Sequence, residues 1–254
     1  MRLRAGLPGL LTPLLILAAW EGLIRGGVLD FDYLPAPSSI GSAAAGLAAG
    51  GELAERLLHT TGVTLLAWVL ALAVALAAGT LLGLSHTAWR WSMASVEVLR
   101  TLPAVALVPV ALLVLGPTTA AEIVVAVYAA SWPLLISVVA GLQDTPQRLI
   151  DVARQMRLPR SRVVVSLMLP AAAPLILSGA RLALGISLIV VVLAEMVGNP
   201  AGLGAAISET QMALQPEDMW VYVLSVAVLG TVLNAVLLAV SRRALPAVLA
   251  REAS

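Results

Sequence analysis

The sequence predicts an all-helical, polytopic membrane protein. Of its 254 residues, 60% are hydrophobic and only 11% are charged, and the mean hydropathy is +0.99. Ordinary soluble domains carry about 25% charged residues, so this chain lacks the polar surface that water requires. Its apolar residues also gather into segments of roughly 20, the length at which a helix crosses the hydrocarbon core of a bilayer.

Six segments are predicted to cross the membrane. The third is short and contains Pro103 and Pro109, each of which removes a backbone hydrogen bond and kinks or breaks a helix. Backbone groups freed inside a bilayer must be satisfied by protein or by water, so this segment is expected to line a pathway. The six segments are approximately 7–24, 61–84, 102–115, 120–142, 175–197 and 220–240.

The arginines set the predicted orientation of these segments. All 15 basic residues are arginines, and most of those outside the segments fall on one side. The positive-inside rule places this side, with both termini, in the cytoplasm. Its arginines are Arg2, Arg4, Arg90, Arg148, Arg154, Arg157, Arg160, Arg162, Arg242, Arg243 and Arg251. The opposite loops hold Asp30, Asp32, Glu52, Glu55, Glu209, Glu217 and Asp218, with Arg25 and Arg56 as their basic residues.

Three segments permit alternative interpretations. The N-terminus has the basic and apolar regions of a signal peptide, but we expect it to remain as the first span, because Trp20 and Glu21 follow the small residues. The alanine-rich and glycine-rich stretch near 46–51 fits a linker and an external helix equally well. Gly198, Asn199 and Pro200 predict a helix break that is either an irregular or re-entrant piece or an ordinary loop.

The composition also limits the chemistry of the chain. A P-loop needs a lysine to reach the phosphates of ATP, and the sequence contains no lysine. It also contains no cysteine, and its two histidines, His59 and His86, have no second ligand at metal-binding spacing. We therefore expect no catalytic residue, metal or cofactor in this chain. A net charge of +1, with arginines distributed by membrane side, argues against binding of nucleic acid.

The most informative stretch is the arginine-rich segment 143–170. Thr145 and Pro146 predict a helix start, with Thr145 as the N-cap and proline at the first helical position. Leu149, Ala153 and Met156 then share one helical face. A solvated loop has no need of such a face, whereas a helix that inserts into a partner's groove does. Leu158-Pro159 should end this helix, and Ser161 should cap a second short helix running towards Pro170.

The spacing within this segment resembles a known coupling motif. Asp151-Val152-Ala153 is followed after three residues by Arg157 and after nine more by Leu167-Met168-Leu169-Pro170. This order is similar to the cytoplasmic motif of bacterial ABC importer permeases, which is Glu-Ala-Ala, three residues, Gly, nine residues, then Ile-any-Leu-Pro. Val152 replaces the first alanine. Arg157 replaces the glycine, which suggests that the turn has moved to Leu158-Pro159.

Other fragments resemble the nitrate, sulfonate, taurine and bicarbonate-like subfamily of these permeases. Each fragment is common in membrane proteins, but their shared order is specific, and it covers the chain from about Tyr33 to Val240. The subfamily's aromatic-glycine tract is replaced by Val114-Leu115-Gly116-Pro117. The similar fragments are Leu34-Pro35-Ala36-Pro37-Ser38, Arg100-Thr101-Leu102-Pro103, Ala106-Leu107-Val108-Pro109, Ala194-Glu195-Met196 and Gly202-Leu203-Gly204.

The resemblance implies a type I ABC importer permease fold, with one transmembrane permease domain over 1–254 and the cytoplasmic coupling segment 143–170 within it. It implies a multi-pass subunit of the bacterial inner membrane that is not itself an enzyme. The implied partners are two copies of an ABC ATPase that binds ATP and Mg, a second permease copy or paralogue, an external or lipid-anchored binding protein, and membrane lipid. The implied ATPase-coupling residues are Asp151, Val152, Ala153, Arg154, Met156, Arg157, Leu158, Leu167, Leu169 and Pro170.

The expected cargo is a small anionic solute, with a heterocyclic vitamin precursor as the alternative. An ion-gradient-driven secondary transporter is a weaker rival, because such proteins usually show an internal repeat and a mid-membrane acid used for coupling. Glu122, Arg181 and Glu195 lie in or near predicted spans, where they either pair structurally or contact substrate. The candidate residues of a pathway or gate are Pro103, Pro109, Ser178, Arg181, Ser187 and Glu195.

Overall fold

The computed structural model describes residues 7–29 and 31–244, with side chains described from residue 11 to residue 243. Within these ranges it contains eleven α-helices and one π-helical turn, and every regular element is helical. This confirms the predicted all-helical fold. Arg2, Arg4, Asp30 and Arg251, which contribute to the predicted orientation, lie outside the described residues.

The first two helices are α1, Leu7–Arg25, and α2, Pro37–Gly50. The stretch near 46–51 is therefore the end of a helix, and Gly51, at φ +79°, makes the turn between α2 and α3. Ser38 joins the two helices, because both its backbone N–H and its hydroxyl donate to the carboxylate of Glu21. Arg25 completes this junction by donating to the Ser38 oxygen at 2.7 Å.

In the described part of the chain, four helices are long and apolar enough to cross a membrane. They are α3, Glu52–Gly83; α6, Thr119–Gln143; a continuous helix, Arg160–Val197; and α11, Pro216–Ala244. The third of these joins α8, Arg160–Val163, the π-helical turn Val164–Met168 and α9, Leu169–Val197. Each starts earlier than the sequence predicts: α3 and α11 begin among polar residues, and the third helix continues through Pro170 and Pro174.

The predicted third span, 102–115, corresponds to the second helix of a broken pair. Helix α4, His86–Thr101, meets α5, Ala104–Leu115, at 79°. The break falls at Leu102 and Pro103, as the proline predicts, and Pro109 lies inside α5. The pair would be a fifth span. The predicted first span corresponds to α1, an apolar helix of 19 residues.

Small residues bring the central helices together. Along α3, every fourth residue from Ala67 to Gly83 is an alanine or a glycine, and all of them are buried. This spacing places them on one face, which lets neighbouring backbones approach closely in a membrane. A Cβ at Gly79 would lie 2.8 Å from the side chain of Val138 on α6, so α3 and α6 could not pack in this way with a larger residue there.

The predicted helix break after α9 leads into a short buried helix. Helix α9 ends at Val197, and α10, Gly202–Met212, packs against α9, α11 and α3. The first six residues of α10, 202–207, are all buried. The segment is therefore an inserted helix and not an ordinary surface loop.

Candidate functional site

The coupling segment begins with helix α7, Gln147–Gln155. Pro146 is the N-cap and not the first helical residue, because its ψ of 128° is extended. Thr145 does not cap the helix as predicted. Its buried hydroxyl donates instead to the carbonyl of Gly141, on the preceding helix α6, at 3.5 Å.

The end of α7 is a Schellman motif centred on Arg157. The N–H of Leu158 donates to the carbonyl of Ala153 at 3.1 Å, and the N–H of Arg157 donates to that of Arg154 at 3.0 Å. These are the two bonds of that motif. Arg157 has a φ of +51°, so the suggested move of the turn to Leu158-Pro159 is wrong. The arginine adopts the left-handed conformation itself.

Replacing Arg157 with glycine should therefore stabilise this turn. Relief of the left-handed strain, about 1–2 kcal/mol, exceeds the added entropy of the unfolded chain, leaving about 1 kcal/mol. Amide exchange in α7 should slow about fivefold when measured by hydrogen–deuterium exchange. Arg154→Gly is the control, because it places glycine within α7 and should speed exchange. Faster exchange in Arg157→Gly would contradict the strain argument.

The exposure of Ala153 on α7 differs from the prediction. Its side chain is only 1% exposed, so it is buried within the chain and is not free to meet a partner. The exposed apolar residues are Leu149 at 36%, Val152 at 51% and Met156 at 66%. We call these three residues the docking face. On another side of α7, Arg154 lies 3.6 Å from Asp151, the ion pair that their spacing predicts.

The second half of the coupling segment is continuous with a span. Pro159 is the N-cap of α8, and no side chain caps that helix, so the predicted Ser161 cap does not form. The helix continues through the π-helical turn, where the N–H of Leu169 donates to Val164. Pro170 follows at once, and its missing N–H interrupts the helical hydrogen bonds there. Leu167, Leu169 and Pro170 thus lie where the segment joins the span.

The candidate pathway residues do not form one site. Pro103, at the helix break, lines a cleft of about 570 Å³ together with Arg100, Tyr128 and Trp132. Pro109 is exposed on α5. The other candidates lie on α9: Ser178 and Arg181 are exposed, and Ser187 and Glu195 are buried.

The surroundings of Ser187 and Arg181 bear on their predicted place along the pathway. Ser187 is fully buried, so it does not line an open pathway in this conformation. Arg181 donates from Nε to the Asn234 side chain at 3.3 Å, which gives it a partner on α11. Pairing within the chain was one of the two roles expected for this arginine.

Glu195 anchors the start of α10. One of its oxygens accepts from the backbone N–H of Gly204 at 2.8 Å, and its carboxylate accepts from the Thr60 hydroxyl at 2.8 Å. The Thr60 oxygen in turn accepts from the N–H of Leu203 at 2.8 Å. A carboxylate at a helix N-terminus satisfies free N–H groups and complements the helix dipole. These contacts fix α10 against α3 and α9.

A second acid lies beside this anchor. Glu122 on α6 is fully buried, and one of its oxygens accepts from the Asn199 side chain. Its other oxygen lies 3.6 Å from His59 Nε2, and His59 Nε2 lies 4.0 Å from Glu195. We call His59, Thr60, Glu122, Glu195 and Asn199 the polar cluster.

Sequence reasoning missed the polar cluster as a unit. It identified Glu122 and Glu195 as ionisable groups in or near spans, but it found no second ligand for His59. The adjacent pair His59-Thr60, near the start of a span, was the available signal. The helices that carry the cluster are distant in sequence, so no spacing rule brings its members together.

Comparisons with known proteins show the family of this chain. A family model described as binding-protein-dependent transport system inner membrane component matches residues 70–248. SsuC of Bacillus subtilis (strain 168), named as an aliphatic sulfonates transport permease protein, is 30% identical over 222 residues, covering 87% of this chain and 80% of SsuC. The nitrate import permease protein NrtB of Leptolyngbya laminosa is 30% identical over 179 residues, covering 70% of this chain and 64% of NrtB.

The fold is also similar to that of a solved transporter. An inward-facing structure of the MetNI methionine ABC transporter, in its CY5 native crystal form, matches with a TM-score of 0.63 at 21% identity. The match covers 77% of this chain and 95% of the MetNI chain. At this identity the likeness shows the fold alone.

Proposed function

The chain belongs to the family of binding-protein-dependent transport system inner membrane components, and we propose that it forms the route by which an ABC importer moves a small anion into the cell. The substrate class is supported by the relatives. SsuC is named for aliphatic sulfonates and NrtB for nitrate, and both kinds of solute are small anions at neutral pH. A conduit must also release what it accepts, so we expect weak, hydroxylated contacts such as Ser178 along the route.

Coupling to an ATPase is proposed to occur through α7. The observation that carries this proposal is the docking face: three exposed apolar side chains on a short helix that ends in a Schellman motif and lies between two membrane helices. Helices α6 and α9, on either side of α7 in the chain, pack against each other in the core. If a groove on the ATPase holds Leu149, Val152 and Met156, movement of that groove would move both helices together.

The remaining proposed partners are an ATPase, a second permease chain and a binding protein. A chain without lysine cannot build a P-loop, and membership of the family supports a separate ATPase; we propose that two copies of it bind ATP and Mg. Pro103 and Pro109 are exposed beside the helix break, so a second permease copy or paralogue is proposed to cover them. An external or lipid-anchored binding protein would deliver the solute. The arginine distribution supports placing α7 and both termini in the cytoplasm.

The coupling proposal is tested by Met156→Asp. A charge placed in the apolar contact should weaken binding of the ATPase by about 2–3 kcal/mol, or roughly 30–150-fold. In proteoliposomes with the ATPase and binding protein, nitrate or a short alkanesulfonate should stimulate ATP hydrolysis by the wild type, and a neutral alcohol of similar size should not. Met156→Asp should abolish that stimulation while the permease remains folded.

Met212→Asp is the matched control. It makes the same change at an 81% exposed methionine on α10, away from α7, and should leave ATPase binding unchanged. Unaltered ATPase affinity in Met156→Asp would refute the docking face. Stimulation by the alcohol, and none by the anions, would refute the substrate class and leave the docking face standing.

A further inference from the structure

We propose that His59, Glu122 and Glu195 bind one divalent transition-metal ion of the zinc type. These three residues come from α3, α6 and α9, the helices that form the centre of the bundle. Each offers one ligand atom, and the three atoms lie within 4.8 Å of one another. The proposal concerns a structural site, separate from the proposed coupling and transport roles.

The distances between these groups suit a bridging ion better than direct hydrogen bonds. His59 Nε2 lies 3.6 Å from Glu122 Oε2 and 4.0 Å from Glu195 Oε1. Hydrogen bonds between such atoms are shorter, about 2.7–3.2 Å. Two ligand atoms that each lie about 2.1 Å from a tetrahedral zinc ion are roughly 3.4 Å apart. The observed separations are close to that value and leave room to contract around an ion.

Two unpaired atoms face each other at the centre of the site. Glu122 is fully buried, yet its Oε2 has no hydrogen-bond partner among the described residues, and the same is true of His59 Nε2. Buried polar atoms are nearly always satisfied, so such a pair needs an explanation. Nitrogen from imidazole and oxygen from carboxylate are both ligands that zinc takes in proteins.

The remaining hydrogen bonds orient the two carboxylates towards the site. Asn199 donates to the other oxygen of Glu122, and Thr60 and the N–H of Gly204 hold Glu195. Carboxylates that ligate metals are commonly held by such outer hydrogen bonds. Three ligands and one water molecule would complete a tetrahedral site. The side chain of His59 is 24% exposed, and its Nε2 is buried, so the ring reaches the surface while its ligand atom lies inside the site.

The charges also favour a divalent cation. Two buried carboxylates are costly to desolvate unless a positive charge offsets them. Arg56, which lies close by, is already bonded to Glu209 and to the carbonyl of Pro200. A divalent ion between two carboxylates and a neutral imidazole would make the site neutral. The ion would hold α3, α6 and α9 together where α10 inserts.

The test is zinc binding by the full-length permease, purified with an affinity tag that contains no histidine. After chelator treatment and dialysis against zinc chloride, wild type should retain one zinc per chain through gel filtration, measured by mass spectrometry of the metal. His59→Ala should lower the affinity at least tenfold. His86→Ala removes the other histidine, on α4, and should bind like wild type.

A cobalt spectrum gives a second readout. Cobalt in place of zinc should produce the visible absorption of a four-coordinate ion in wild type and in His86→Ala, and not in His59→Ala. If His59→Ala does not fold, Glu122→Gln tests the site instead, because it keeps the shape of the side chain. The Glu122→Gln variant should lose the zinc. A wild type that retains no zinc would overturn the site, as would zinc retained equally by wild type and by every folded variant of His59 or Glu122.

Discussion

Gly204→Ala should abolish the folded permease. A Cβ at this position would overlap the backbone carbonyl of Val192 and lie 2.8 Å from Cβ of Glu195. A backbone atom cannot rotate away as a side chain does, so α10 would have to move off α9. That movement breaks the bond from the Gly204 N–H to Glu195. Overpacking together with a lost buried hydrogen bond should cost about 3–5 kcal/mol, a large share of the stability of a typical domain.

Gly185→Ala is the matched control for this change. Gly185 lies within α9, and a Cβ there meets nothing within 4 Å. Alanine is the better helix former, so this variant should gain about 0.5–1 kcal/mol. The two variants are compared by the yield of monodisperse protein in size-exclusion chromatography and by Tm in detergent. A Gly204→Ala permease with wild-type yield and Tm would show that α10 does not pack as described.

Thr60→Val should also cost the permease most of its stability. The two side chains have nearly the same shape, so the change removes a hydroxyl without leaving a cavity. That hydroxyl donates to Glu195 and accepts from the N–H of Leu203. Its loss leaves a buried carboxylate oxygen and a buried N–H without their partner, which should cost about 3–5 kcal/mol.

Thr60→Ser distinguishes the contribution of the hydroxyl to stability from that of the methyl group. Serine keeps the oxygen and should cost only about 1 kcal/mol for the lost methyl. The Tm of the purified permease should therefore rank wild type first, Thr60→Ser close behind and Thr60→Val well below. Equal Tm values for Thr60→Val and Thr60→Ser would mean that the hydroxyl does not hold α10 in place. Thr60 is not one of the proposed metal ligands, so folded Thr60→Ser should still bind zinc.

The stability of α10 and the proposed coupling at α7 involve opposite ends of α9. Helix α9 begins directly after the π-helical turn, within the coupling segment, and it ends at the residues that hold α10. One continuous helix, Arg160–Val197, therefore connects the end of the coupling segment to the polar cluster.

The sequence by itself determined the membrane class, the helical fold and the order of the long helices. These properties depend on local composition, because about 20 apolar residues in a row have few other stable states in a bilayer. The break at Pro103 was predictable for the same reason, since the missing N–H is a property of that residue. The spacing of the segment 151–170, together with the order of the other similar fragments between Tyr33 and Val240, indicated the family.

Only the tertiary structure decided which side chains meet. Ala153 shares a helical face with Leu149 and Met156 in the sequence pattern, yet it is buried while they are exposed, because the rotation of α7 against the bundle is set by packing. The glycine position of the motif kept its left-handed turn with Arg157, because the two Schellman hydrogen bonds offset the strain. His59, Glu122 and Glu195 come together because α3, α6 and α9 pack side by side, and contacts between distant segments leave no periodic signal in the sequence.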